Sequence, residues 1–347
     1  MVDFAGWEMP VQYSTIVEEH RAVRTAAGLF DIGHMGRLEF TGPDACRFLD
    51  HLLTNDVTKL AVGLIRYSLI TNEDGGILDD VLVYRTENAY LLVVNASNRT
   101  KIVEWIDAHQ ESFDVTVNDR TVELFMLAIQ GPQSVDILNP LVDADISLLG
   151  YYTGQETRVI DRRAYVSRTG YTGEDGFEVM LPAEAGPQLY DALMRAGEGF
   201  GILPTGLGCR DTLRLEAAMP LYGHELDESI DPFTAGISFG VKLGGGEFIG
   251  KQALVEAKAR SDRPVRVGLE LAGRRIAREG AELFHGDVNI GRITSGTFSP
   301  TLEKPIAMGY VDREHSSIGT DVEVDIRGKR MAASVVQLPF YTNSKKS

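Results

Sequence analysis

The chain has 347 residues, enough for two or three domains, and its 44% hydrophobic and 24% charged residues are ordinary for a globular protein. A formal net charge of -16 and a pI near 4.9 argue against a nucleic-acid binder, which needs a basic face, and against docking on an anionic membrane. No apolar run approaches the ~20 residues of a membrane span, and no basic and apolar leader opens the chain, so a cytoplasmic protein, or a mature organellar one, is expected.

The predicted elements follow in chain order. Thr15 and Glu18 fit a capping box that opens a first helix, with Gly28 as its stop. Gly42 and Pro43 introduce a second helix, whose apolar positions Ala45, Phe48, Leu49, Leu52 and Leu53 recur at helical spacing. A strand over 67–71, a turn over 72–76 and a return strand over 77–84 come next. The strand 90–94 leads into a helix capped near Asn98 and carrying Ile102, Trp105 and Ile106. Residues 124–129 read as a buried strand, with a short helix after Pro132. Residues 164–168 and 177–181 read as a hairpin around a glycine-rich turn. Helices are expected over 187–196, 209–218 and 251–259, and a strand over 237–243. After Arg260 short strand-like runs dominate, at 265–271, 291–294, 306–310, 322–326 and 332–336. Such runs, spaced by turn residues, signal a small antiparallel barrel or roll, and the charged stretch 258–263 marks its boundary.

Several motifs fail on inspection. Residues 245–251 spell G-x-x-x-x-G-K, but Gln252 stands where a phosphate-binding loop needs the hydroxyl that ligates magnesium; a turn leading into a helix is expected instead. Gly170, Gly173 and Gly176 precede a strand rather than a helix, so they form a hairpin turn and not a dinucleotide fingerprint. None of the seven histidines pairs at metal-ligand spacing, and no metal is expected. Cys46 and Cys209 lack zinc or CxxC spacing and are expected as small buried thiols.

Three positions look chemical. Asp79 and Asp80 stand in an otherwise apolar strand, where Asp80 shares a face with Leu82 and Tyr84, and Asp79 with Val81 and Val83. A carboxylate there costs free energy unless it is paired or wet, so the pair is either solvated at a strand start or turned into a cleft. Glu178 points away from Phe177, Val179 and Leu181, toward water or toward a site. Arg210 opens a helix, where a cation opposes the helix dipole; it either holds an anion or pairs with a nearby acid.

Ten segments then run in the order of one family: 1–13 (MVDFAGWEMPVQY), 31–36 (DIGHMG), 53–56 (LTND), 72–80 (NEDGGILDD), 94–96 (VNA), 167–178 (SRTGYTGEDGFE), 206–216 (GLGCRDTLRLE), 220–228 (PLYGHELDE), 294–302 (TSGTFSPTL) and 339–341 (PFY). The chain resembles the aminomethyltransferases, the T-proteins of glycine cleavage, over essentially its whole length. The resemblance implies an α+β, three-lobed fold around a folate funnel. One lobe, 1–34 plus 121–225, is a discontinuous antiparallel-sheet unit. A second, 35–120 plus 226–262, is ferredoxin-like, and the third, 263–347, is a C-terminal β-barrel or jelly-roll domain. It implies Asp80 as the catalytic carboxylate, Glu178 and Arg210 as folate ligands, and Tyr67, Leu82, Tyr84, Asn95, Tyr171 and Tyr341 around the pocket.

The implied reaction moves a carbon from an aminomethyl group on the lipoyl arm of the H-protein to tetrahydrofolate, with loss of ammonia. The family also implies about a turn or two of chain ahead of the segment matching Met1, Ser where Gly33 stands and Trp where Phe239 stands. Two rivals share the fold. A folate-dependent demethylase or oxidase domain explains the segments less well, and the oxidase would need a flavin fingerprint. A non-enzymatic folate-binding scaffold for iron–sulfur assembly carries a Lys-Gly-Cys-Tyr-x-Gly-Gln-Glu signature. Here Leu149, Gly150 and Tyr151 precede Tyr152, Thr153, Gly154, Gln155 and Glu156, without the cysteine.

Overall fold

Strands alternate their side chains between two faces, and each face must be buried. In the computed structural model, which describes residues 1–343 and leaves only 344–347 of the expected third lobe outside the described residues, this rule builds two sheets back to back. The first sheet is antiparallel, in the order Ile65–Thr71, Ile77–Arg85, Tyr90–Val94, Gly36–Thr41, Thr116–Asp119. Without the edge strand Ile65–Thr71, its strands and the helices Ala45–Leu52 and Arg99–His109 run β-α-β-β-α-β, the ferredoxin-like order. Val81, Val83, Leu92 and Val94 bury against the helix residues Phe48, Leu49, Ile102 and Ile106. Leu82, Tyr84, Leu91 and Val93 point the other way.

The second sheet orders its strands as Gly154–Val159, Arg162–Ser167, Gly176–Pro182, Leu124–Gln130, Ala27–Asp31, Ile202–Thr205, with only the last pair parallel. Leu127, Ile129, Phe177, Val179 and Leu181 pack against Ile137 and Leu138 of the helix Ser134–Leu138 and Leu189 and Leu193 of Gly186–Gly197. Phe30, Met126, Ala128 and Met180 face the first sheet and meet Tyr84, Leu91 and Val93 there. The layers therefore run helix, sheet, sheet, helix.

Residues beyond 264 close a six-stranded antiparallel barrel, in the order Val265–Leu271, Lys304–Val311, Val288–Ser299, Glu282–His285, Asp321–Asp325, Arg330–Val336. Its core holds Val267, Leu269, Leu283, Ile293, Val324 and Val335, and closure leaves no free sheet edge. The helix Leu207–Glu216 joins barrel to sheets: Cys209 and Leu213 enter the inter-sheet layer, while Leu215 packs on Ile306 and Met308 of the barrel.

Buried ions fasten this junction. The Glu216 carboxylate accepts from Arg24 Nη2 at 2.8 Å, Ser299 Oγ at 2.5 Å and Thr301 Oγ1 at 2.8 Å, and His20 Nε2 lies 3.2 Å away. Arg214 Nη1 donates to Glu225 at 2.8 Å, and its Nη2 donates to Ser295 Oγ of the barrel at 2.8 Å.

Three sequence expectations need correction. The first helix, Ile16–Thr25, opens on Thr15 as expected, but it ends at Ala26 and not at Gly28. Gly28 lies inside the strand Ala27–Asp31, where a Cβ would come within 2.4 Å of Val23 Cγ2 and 2.8 Å of Thr205 Cγ2; glycine serves close approach, not helix termination. Residues 237–243 are not a strand. Ile237 and Val241 are buried while Phe239 between them is 65% exposed, because a short 3-10 turn, Ser238–Gly240, breaks the apparent alternation. Asn98 does precede the helix Arg99–His109, but its side chain does not cap it; Nδ2 donates instead to Asp79 Oδ1 at 2.6 Å. The phosphate-loop look-alike is a turn into the helix Lys251–Ala259, and Lys251 Nζ is held by the Gly245 and Gly246 carbonyls and by Glu247. Cys209 is buried and Cys46 partly buried, both as free thiols.

Candidate active site

Asp80 sits on Ile77–Arg85 in step with Leu82 and Tyr84, so it faces the inter-sheet layer. Glu178 sits on Gly176–Pro182 in step with Met180 and faces the same layer from the other sheet. Each acid meets hydroxyls. Tyr67 OH donates to Asp80 Oδ2 at 3.2 Å, and Asn95 Nδ2 donates to Asp80 Oδ1 at 2.8 Å. Tyr84 OH donates to Glu178 Oε2 at 3.2 Å, and Thr169 Oγ1 donates to the same oxygen at 2.6 Å. Burial raises the pKa of both carboxyls, against the hydrogen bonds they accept and, for Glu178, the charge of Arg210. Leu82 pairs across the strands with Tyr67 and completes the Asp80 face.

Arg210 comes from the first turn of Leu207–Glu216, and its guanidinium carbon lies 4.7 Å from the centre of the Tyr171 ring. The adjacent Asp211 does not neutralise it, because that carboxylate binds Arg214 at 2.7 Å. Among the described residues no carboxylate lies within ion-pair distance of Arg210. Burial lowers its pKa, with Tyr171 and Glu178 opposing. A cavity of about 480 Å³ opens beside it, lined by Phe4, Tyr171, Leu207, Leu221 and Ser295 as well as Arg210 itself. Its lining does not include Asp80 or Glu178; Tyr171 is the link, since the Asp80 and Arg210 charges both act on its hydroxyl. A second cavity, about 460 Å³ on the barrel flank beside Arg292 and Tyr310, holds none of the expected residues.

The structure thus brings together Asp80 with Tyr67, Asn95 and Leu82, Glu178 with Tyr84, and Arg210 with Tyr171. Tyr341 stands elsewhere: its ring lies 4.0 Å from the Arg24 guanidinium carbon and its N–H donates to the Glu216 carbonyl at 2.9 Å, at the barrel junction. Sequence reasoning missed Thr169, His34, Arg37 and Asn98. Arg37 is fully buried without a carboxylate and donates to the Gly33 and Leu124 carbonyls at 3.0 Å, and to those of Met35 and Thr121. It pins the two crossings between the sheets. His34 is 2% exposed, and burial, with the charges of Arg210 and Arg37, holds its pKa at about 3, so its ring adds no charge beside Arg210. Both lie in the 31–37 stretch, where a search for metal-ligand spacing had no reason to stop. Phe239 lies 5.2 Å from Tyr67, ring centre to ring centre, as an exposed lip over the Asp80 side.

Comparison with known proteins identifies the family and the fold. Residues 1–245 match the family described as "GCVT N-terminal domain", and 265–342 match the "Glycine cleavage T-protein C-terminal barrel domain". An aminomethyltransferase of Streptomyces coelicolor is 49% identical over 351 residues, covering 99% of this chain and 94% of that protein. One from Bacillus subtilis is 46% identical, covering 98% and 94%. The crystal structure of glycine cleavage system aminomethyltransferase T from Bartonella henselae superposes with a TM-score of 0.92 at 36% identity, covering 98% of this chain and 93% of that one. The chain belongs to the glycine cleavage T-protein family of aminomethyltransferases.

Proposed function

We propose that the chain takes an aminomethyl-derived carbon from the lipoyl arm of an H-protein, whose carbon–sulfur bond breaks to leave the dihydrolipoyl arm, and passes it to tetrahydrofolate, releasing ammonia and forming 5,10-methylenetetrahydrofolate. Family membership supports the reaction class. The observation that carries the residue assignment is the pair of acids on facing sheets, Asp80 partly buried and Glu178 buried, each on a tyrosine hydroxyl, with Arg210, which has no ion-pair partner among the described residues, lining a cavity of about 480 Å³. That volume suits a small-molecule site.

In this reading Glu178 accepts the paired N–H donors of a pterin edge, and Arg210 binds a carbonyl or carboxylate of the same ligand. Asp80 accepts a proton from the attacking nitrogen and stabilises positive charge on the transferred carbon. Burial raises the Asp80 carboxyl above the ordinary aspartate value, which makes it a stronger base for that task. Tyr67, Leu82, Tyr84, Asn95 and Tyr171 shape the pocket. Tyr341, resting on Arg24, we assign to the junction beside it. We divide the chain accordingly into lobes 1–34 plus 121–225, 35–120 plus 226–262, and the barrel from 263.

Turnover with aminomethylated H-protein and tetrahydrofolate, read as ammonia release, tests the proposal. Ammonia release dependent on both substrates is expected. Its absence, with folate-dependent demethylation of a sulfonium compound in its place, would assign the site to another one-carbon donor.

A further inference from the structure

Asp79, beside the proposed catalytic carboxylate, has no place in the mechanism above, yet it is the more deeply buried of the two, at 0% exposure. It is heavily hydrogen-bonded. Asn95 N donates to Asp79 Oδ2 at 2.9 Å, and Asn95 Nδ2 and Asn98 Nδ2 donate to Asp79 Oδ1 at 2.8 and 2.6 Å. The same Asn95 Nδ2 donates to Asp80 Oδ1 at 2.8 Å. Its two hydrogens thus bracket two neighbouring carboxyls, one on each.

Strand alternation sends the Asp79 and Asp80 side chains apart, but Asn95, at the end of Tyr90–Val94, reaches both. Among the described residues no Lys, Arg or His lies within ion-pair distance of either acid. Two anions so close, one buried and one partly buried, and without a cation, repel each other, and such pairs retain a proton and titrate as a unit.

We propose that Asp79 is a positioning residue that makes Asp80 one half of a proton-sharing carboxyl pair, with the Asn95 amide as the bracket and Asn98 as its outer support. The inference rests on reading Asp80 as the catalytic group. One proton on the pair leaves a single anion, and the Asn95 amide donates to both carboxyls. When Asp80 takes a proton from the substrate nitrogen, both carboxyls become neutral, the state that burial favours. Burial and the charge of Asp80 push Asp79 up to about 7, while Asn95 and Asn98 oppose them.

The ionisable groups facing the pair are phenols. Tyr67, Tyr152 and Tyr171 face Asp80, and Tyr222 faces Asp79, with Lys101 and Glu228 joined to it beyond. All four phenols are raised above the usual tyrosine value, first by burial. None of them supplies a step near neutrality.

The test is a carbon-13 NMR titration of the aspartate carboxyls in the full chain without substrate, with Asp79→Asn and Asn98→Ala beside the parent. In the parent, the Asp80 carboxyl is expected to respond in two steps separated by more than about one pH unit. In Asp79→Asn it should respond in a single step, and the pH profile of ammonia release should lose the corresponding inflection. Asn98→Ala, which removes one donor from the Asp79 anion, should move the upper step to higher pH; it serves if Asp79→Asn does not fold. A single Asp80 step, unchanged between parent and Asp79→Asn, overturns the proposal, as does an upper step that Asn98→Ala leaves in place. Full ammonia release by Asp80→Asn would instead refute the catalytic reading of Asp80 and leave the titration steps intact.

Discussion

Replacing Glu216 with Gln should destabilise the protein strongly without touching the acid pair. Glu216 is 0% exposed and gathers Arg24 and His20 from the first helix with Ser299 and Thr301 of the barrel loop. Burial alone would raise its pKa, but the interactions with His20, Arg24 and Ser299 win and hold it at about 2, against 4.5 for a free glutamate. That difference corresponds to roughly 3 kcal/mol of linked stability. Removing one partner of a buried pair costs about 3–5 kcal/mol, so both routes give the same order. The sign follows from the depressed pKa: the contribution is present above about pH 4.5 and is lost as pH falls toward 2. Urea denaturation of parent and Glu216→Gln from pH 7 down to pH 3 measures it. The gap should be largest at pH 7 and shrink toward the acid end as the parent alone loses stability. A loss under about 1 kcal/mol at pH 7, or a gap that does not change with pH, would refute the claim that this carboxylate fastens barrel to sheets.

Arg210→Ala should weaken folate binding by about 1.5–3 kcal/mol, roughly 10- to 150-fold in calorimetric titration, with little change in melting temperature, since no carboxylate among the described residues pairs with it. A large stability loss at unchanged folate affinity would make Arg210 structural. Gly28→Ala should cost about 1–3 kcal/mol in denaturant unfolding, because its Cβ would meet Val23 Cγ2 at 2.4 Å; a neutral result would mean the helix and strand can part there. We propose that docking of the H-protein uses a local basic patch despite the net charge of -16, so its affinity should fall as salt rises. Affinity that grows with salt would point to an apolar contact instead.

The alternation of apolar residues around Asp80 and Glu178 was legible, and with it the faces these acids occupy. What lies against those faces was not. A strand shows that a residue points away from one core, not whether water or a second sheet waits on the other side, so the solvated reading of both acids stayed open until the two sheets were seen to pack face to face. The roles of Asp80, Glu178 and Arg210 came from family likeness rather than from spacing. Long-range partners are the hardest to read: Arg37, Asn98 and Glu216 look like ordinary surface residues in sequence, and only the fold turns each into a buried hub. Short elements misled in the opposite sense, since Ile237, Phe239 and Val241 alternate as a strand would and yet belong to a turn. Gly28 reads as a stop signal until Val23 and Thr205 are seen to close on it.

Ammonia release by Asp80→Asn, normalised to folded protein and measured beside a folate titration, tests the central claim most directly. The substitution keeps shape and removes the charge that accepts the proton. The expected result is a rate lower by on the order of 10²–10⁴, with folate binding retained through Glu178 and Arg210. A variant that releases ammonia as fast as the parent would remove Asp80 from the chemistry and contradict the account.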